Sequence, residues 1–376
     1  MQRRSVAAVP ALALILVLGP VTAGCSSGAS GQSGASGASG ASASAPTDLL
    51  SVSGTVGQDL NTPWGMAVLP GGDVLVNSRD TGTITRIAAD GTKTNLGTVP
   101  GVVPGGEAGL LGLALSPDYA TDHLLYVYYT SDSDNRIARL TYDPQQPAGS
   151  QLGAPQPILT SIPKGSNHDG GRIAFGPDGM LYAGTGESGH TELSQNLDSL
   201  GGKILRMTPD GAPAPGNPFA GSVVYSYGHR NVQGLAWDDQ GRLWASEFGQ
   251  NLWDELNLIK PGGNYGWPEI EGTGNRAGFI DPVATWHPNV ASPSGIAYAD
   301  GAIWMAALRG SALWRIPLAG TATAGPPQPF LPTTYGRLRT VVNDGANTLL
   351  LSTSNTDGRG TPQPGDDRIL RLTVRP

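Results

Sequence analysis

The sequence predicts an all-β protein, a six-bladed β-propeller, and three observations carry that expectation. Fifty-five glycines and 31 prolines in 376 residues, with 14% charged and 39% hydrophobic side chains, suit many short strands joined by turns. From residue 47 onward a unit recurs six times: an apolar strand, a turn rich in Pro, Asp and Gly, then a second apolar strand. The units begin at Gly65, Gly112, Gly171, Gly234, Gly295 and Thr340, spaced by roughly 45 to 65 residues, a period that fits one propeller blade per unit. A β-sandwich does not predict six copies of one pattern.

Taken in order, residues 1–24 read as a secretion signal, with Arg3 and Arg4, a short apolar run and the small-residue ending "TAGC". That ending resembles a bacterial lipobox, which makes Cys25 the expected lipidation site and the mature N-terminus. As the sole cysteine it has no intramolecular disulfide partner. Residues 25–46 are a Gly/Ser/Ala tether without core-forming side chains, and 47–376 form the propeller domain. The expected location is extracytoplasmic, held to the bacterial cell membrane by the lipid alone. The formal net charge of −7 and the absence of a basic run exclude a nucleic-acid partner.

Within the domain, "LLSVSGTV" is expected to pair with the last blade and close the ring, removing an exposed sheet edge. The units run from "GMAVLPGGDVLVNS" to "TVVNDGANTLLLSTSN", each followed by a third strand such as "TITRI", "KILRMTP" or "RILRLTV". In an antiparallel pair, the start of the first strand and the end of the second lie at the same end. Residues in those two phases therefore gather on one rim. Before first strands stand Trp64, Glu107, His168, the run "YGHRN" at 227–231, Ser294, Arg337 and Arg339; after second strands stand Arg79, Glu187, Glu247 and Arg309. The "PDG" turns point to the opposite face and are ordinary turn chemistry.

On that rim His168 precedes Asp169, Gly170 and Gly171, glycines expected to let a flat ligand come close. A lone loop histidine is commonly structural; paired with Glu187 from the same blade, His168 reads as a general base whose tautomer the carboxylate fixes. Arg309, Arg337 and Arg339, with Arg230, form an arginine cluster suited to an anion bearing several carboxylates or phosphates. Glu255, the carbonyls near Gly249 and Gln250, and the turn at 262–265 offer hard oxygen ligands of the kind calcium takes. "SDSDN" at 131–135 reads as a solvated hairpin turn. Ser188 and His190 lack the nucleophile elbow of a hydrolase triad.

The motifs "GLLGLALSPDY", "HDGGRIAFGPDG", "YGHRNVQGLAW", "DELNLIKPGGNYGWP" and "GRLRTV", in this order, closely resemble the soluble PQQ-dependent glucose/sorbosone (aldose sugar) dehydrogenases. The resemblance covers the chain from about residue 55 and implies a six-bladed propeller that oxidises the anomeric hydroxyl of an aldose to a lactone. Hydride passes to pyrroloquinoline quinone (PQQ), and the eventual electron acceptor is left open. His168 matches the family's general base, with Glu187 orienting it. Arg230 and Asn231 match residues contacting the quinone, beside Glu107. Arg309, Arg337 and Arg339 match positions that pair with the three carboxylates of PQQ. Gly249 and Gln250 match main-chain ligands of a calcium bridging protein and quinone, and Glu255 and Tyr265 match ligands of a second, structural calcium.

The chain departs from the well-known glucose-oxidising members at several of these places. It has Glu187 for aspartate, Glu107 for glutamine, Arg309 for lysine, Gln250 for proline and Thr340 for aspartate. Two rival readings stay open: a propeller hydrolase of the metal-dependent lactonase type, and a non-catalytic sugar-binding propeller lipoprotein.

Overall fold

The computed structural model describes residues 48–375 apart from Ala346. Cys25, the signal segment and the tether lie outside the described residues. The described chain forms six antiparallel sheets whose innermost strands are Pro63–Val68, Leu110–Leu115, Ile173–Phe175, Val232–Trp237, Pro293–Ala299 and Leu338–Asn343. Each innermost strand packs on the next and the sixth returns to the first, so the sheets are blades around a ring. The expected closure is present: Leu50–Gly57 runs antiparallel to Ile369–Val374 as the outer strand of the sixth blade. Helix among the described residues is limited to one turn at Tyr119–Asp122 and a 3-10 turn at Thr191–Ser194.

The six units map onto the six blades because each blade buries both faces against its neighbours. Leu75, Ile84, Leu113 and Val127 fill the seam between blades 1 and 2. Met66, Val76, Leu350 and Ile369 fill the seam between blades 6 and 1. Corresponding clusters occupy the other four seams. Sheets buried on both sides read as the short apolar runs of the sequence.

The repeated glycine at the head of each unit has a packing role. Pairing slips between Pro63 and Met66, Leu110 and Leu113, Val232 and Gly234, Pro293 and Ile296, and Leu338 and Thr340, so five of the six innermost strands carry a bulge at the same place. A Cβ on Gly65 would stand 2.7 Å from the Leu111 carbonyl oxygen, and one on Gly295 would stand 2.9 Å from Thr340 Cα. The bulged strands thus approach backbone to backbone around the channel. In the sixth blade Thr340 takes the glycine's place, and its hydroxyl donates to the Trp64 carbonyl at 2.6 Å, joining last blade to first.

Candidate active site

At the rim end of the ring lies a cavity of about 490 Å³, a size suited to a cofactor-scale ligand. Of the residues singled out in the sequence, Glu107, His168, Arg230 and Asn231 line it, together with Gly249, Gln250, Arg309 and Arg337. Another cleft of about 450 Å³, on blade 1, is lined by Asp59, Thr81, Thr83, Thr85 and Lys93 and contains none of the candidate site residues.

His168 occupies a left-handed backbone conformation, φ 57°, which is strained for a side-chain-bearing residue. Its amide donates to Glu107 Oε2 at 2.9 Å and its carbonyl accepts from the Ser188 amide at 3.1 Å, so both sides of the strained unit are held. The ring Nδ1 stands 2.9 Å from Glu187 Oε1, and Nε2 stands 2.9 Å from Arg230 Nη2. A guanidinium can only donate, so Nε2 is the acceptor and the proton resides on Nδ1, directed at Glu187. The basic lone pair therefore faces the arginine-lined cavity. Ser188 Oγ is spent on the Pro163 carbonyl at 2.8 Å and His190 is exposed, so these two form no triad.

The glycines after His168 serve neighbours in the protein, contrary to the sequence expectation. A Cβ on Gly170 would meet Thr185 Cα at 2.5 Å, and one on Gly171 would meet Leu111 Cβ at 2.7 Å. Tight packing on the adjoining strand and blade, rather than access for a flat ligand, explains them. Asn231 Oδ1 accepts from the Gly170 amide at 2.9 Å, which ties this loop to blade 4.

Arg230 Nη1 donates to the Gly249 carbonyl at 2.6 Å and to that of Phe248 at 3.2 Å, and the guanidinium lies 5.3 Å from the Trp267 ring. Burial lowers its proton affinity below the usual arginine value, partly offset by nearby carboxylates, Glu187 foremost. Arg309 is exposed and has no hydrogen-bond or ion-pair partner among the described residues. Arg337 directs Nε and Nη2 at Asp357 Oδ2, at 2.9 and 2.8 Å.

Arg339 stands apart from Arg309 and Arg337. It does not line the large cavity. It sits one layer deeper, against a cavity of about 20 Å³ that Trp64, Arg79 and Gln233 also line. Its Nη1 donates to Gln233 Oε1 at 2.9 Å, Asp357 lies 3.6 Å away, and Nε has no partner. Burial pushes its pKa down to about 9.

Two arginines escaped sequence reasoning. Arg172, inside "HDGGRIAF", lies buried in the channel with its guanidinium 4.4 Å from the Trp64 ring, donating to the Gln233 carbonyl and to Thr340 Oγ1. Its place at the head of an innermost strand was a usable signal. Arg359 comes from the loop after blade 6's second strand and pairs with Glu107 Oε1 at 3.0 Å. Nothing periodic marks it. Although burial works against the charge on Glu107, the His168 amide and Arg359 hold its carboxyl below the ordinary value.

The residues present fit a cation at Gly249 and Gln250, since the Gly249 carbonyl already draws the positive charge of Arg230 at 2.6 Å. The arginines that line the cavity, Arg230, Arg309, Arg337 and Arg359, likewise suit a ligand bearing several carboxylates. Glu255 lies apart from the cavity, buried beside Glu247, and burial followed by that neighbour pushes its pKa up to about 8. Asn257, whose Nδ2 donates to Glu255 at 3.0 Å, leaves its own Oδ1 unpartnered, so this oxygen-rich pocket also suits a cation. The Tyr265 hydroxyl is spent on the Leu258 carbonyl and the Lys260 amide, which leaves only its main-chain carbonyl for a metal. Among the described residues, no three His, Cys, Asp or Glu side chains converge as a metal cage.

The family model for glucose/sorbosone dehydrogenase matches residues 60–370. The chain belongs to this family. Among solved structures, this glucose/sorbosone dehydrogenase family member is 68% identical to the PQQ-bound form of an aldose sugar dehydrogenase from Streptomyces coelicolor, with a TM-score of 0.86 over 87% of this chain and 98% of that one. It is 33% identical to quinoprotein glucose dehydrogenase B of Acinetobacter calcoaceticus over 59% of this chain and 53% of that protein. It is also 33% identical to the aldose sugar dehydrogenase YliI of Escherichia coli over 60% of this chain and 64% of that protein. The chain thus spans between half and two thirds of these two relatives.

Proposed function

We propose that the protein is a PQQ-dependent aldose sugar dehydrogenase that oxidises the anomeric hydroxyl to a lactone. The observation that carries this reading is the His168 tautomer, with Nε2 turned to a cavity lined by arginines. When bound, the quinone supplies a two-electron acceptor for the hydride leaving carbon 1. His168 Nε2 takes the hydroxyl proton, and Glu187 stabilises the resulting imidazolium through Nδ1–H. Arg230 must release Nε2 for the sugar to reach it, and it places positive charge where negative charge develops on oxygen. Arg309 and Arg337 hold carboxylates of the cofactor, with Arg339 supporting them from below. The Gly249 and Gln250 carbonyls would hold the calcium that polarises the quinone, and Glu255 with the Tyr265 carbonyl a structural calcium.

A hydrolase would need a carboxylate cage at the channel centre, where Arg172 and Arg339 flank Trp64 instead. The lipobox-like ending at Cys25 supports placing the enzyme outside the cytoplasm on a lipid anchor, with an acceptor reached from there. The test adds PQQ and calcium to apoprotein and follows dye reduction with a panel of aldoses. Sugar-dependent reduction is expected; neither cofactor binding nor reduction would end the proposal.

A further inference from the structure

We infer that Glu271 is a positioning residue that aims the Gly249 and Gln250 carbonyls into the cavity, an inference that rests on the calcium reading above. One carboxylate oxygen, Glu271 Oε1, accepts from four consecutive amides: Gln250 at 2.7 Å, Asn251 at 2.9 Å, Leu252 at 2.9 Å and Trp253 at 3.1 Å. In a planar trans peptide, the carbonyl of one residue points opposite to the amide of the next. Drawing the amides of Gln250 and Asn251 toward Glu271 therefore turns the carbonyls of Gly249 and Gln250 away from it. The consequence is visible at Gly249, whose oxygen reaches Arg230 in the cavity.

Two further observations fit the same device. A Cβ on Gly249 would run first into the Trp253 carbonyl oxygen and would also stand 2.7 Å from Glu271 Oε1, so the tight loop that the carboxylate caps needs glycine there. Asp254 pins the other side of the loop, accepting from the Gly249 amide at 3.0 Å and the Ser292 amide at 2.6 Å. Glu271 has no ion-pair partner within 4 Å among the described residues, so the four amides are its direct partners and Arg230 acts on its charge only at longer range. Gln250, standing where the glucose-oxidising relatives carry proline, supplies the shortest of the four bonds, a donor that proline lacks.

Glu271→Met keeps the side-chain length and removes the oxygen; Glu271→Gln restores an acceptor without charge. In metal-free protein, amide hydrogen exchange over 249–254 should become at least about tenfold faster in Glu271→Met, with partial recovery in Glu271→Gln. The calcium concentration for half-maximal PQQ binding, read by tryptophan quenching, should rise by about 10- to 100-fold, as for other groups that orient metal ligands. The sugar KM at saturating calcium should not move. Unchanged exchange, or an unchanged calcium requirement, in Glu271→Met overturns the inference. If that variant does not fold, Glu271→Ala decides, because it also removes the acceptor and wild-type values in both measurements would overturn the inference equally. Wild-type protein without calcium-dependent PQQ binding removes the reading beneath it, while the exchange comparison still judges the loop.

Discussion

Two histidines stand before innermost strands of adjacent blades, and each meets a glutamate at or just past the end of its own blade's second strand, Glu247 closing Leu243–Glu247 and Glu187 following Leu181–Gly184. His168 lies 2.9 Å from Glu187, and His229 lies 2.5 Å from Glu247. Their surroundings separate them. The side chain of His168 is 15% exposed and its Nε2 faces the cavity. His229 is fully buried, with Nε2 against Ser226 Oγ at 2.8 Å and its ring stacked on Tyr265 at 4.6 Å. Ser226, His229 and Glu247 have the connectivity of a hydrolase triad but no route for substrate. The pairing is the same in both; what differs is that the second nitrogen of His168 reaches a cavity, where Arg230 holds it, and that of His229 does not.

The widest separation between the pairs comes from removing each histidine. His168→Ala should lower kcat by about 10³-fold, the size of a lost general base, with little change in PQQ affinity or Tm. His229→Ala should instead lower stability by about 3–5 kcal/mol, because Glu247 is left buried without its partner. Steady-state kinetics with calorimetry on both variants checks this; a large Tm loss in His168→Ala would erase the distinction.

The same contrast between open and sealed groups sharpens among the arginines. Arg309→Ala should weaken PQQ binding by about tenfold and leave Tm unchanged, since the exposed side chain has no partner to lose among the described residues. Arg339→Ala should reduce Tm as well as affinity, because Gln233 and Asp357 lose a buried donor. Fluorescence titration and thermal unfolding separate the two; equal Tm losses would contradict the layering.

The smallest effect concerns the residue beside the open histidine. Burial pushes the Asp169 pKa from 3.8 up to about 6, and its Oδ2 has no partner. The folded state therefore binds the proton more tightly than the unfolded chain, and the stability this contributes is present below pH 4 and lost as pH rises through 6. Asp169→Asn should gain about 1 kcal/mol at pH 8, with the gain vanishing near pH 4, as measured by denaturant unfolding. A gain independent of pH would assign the effect to packing.

Blade number, strand order, ring closure and the rim bearing the chemistry were all legible in the sequence, because each depends on apolar periodicity and on the antiparallel geometry of successive strands. His168 and Glu187 were legible as a pair for the same reason. Arg359, Glu271 and the depth of Arg339 were not. Arg359 and Glu271 reach the site from loops whose paths no period dictates, and Arg339 is two residues from Arg337 yet one layer lower. The glycines after His168 show the opposite error, a local freedom assigned to a ligand when the neighbouring strand and blade use the space.

The sequence by itself determined the ring and the residues able to stand at its mouth, since a two-residue strand period and a blade-length repeat are properties of local chain geometry. Only the tertiary structure decided which histidine is open, which arginine is sealed and which carboxylate gathers four amides. Those outcomes depend on burial and on hydrogen-bond direction, which arise when segments far apart in the chain meet.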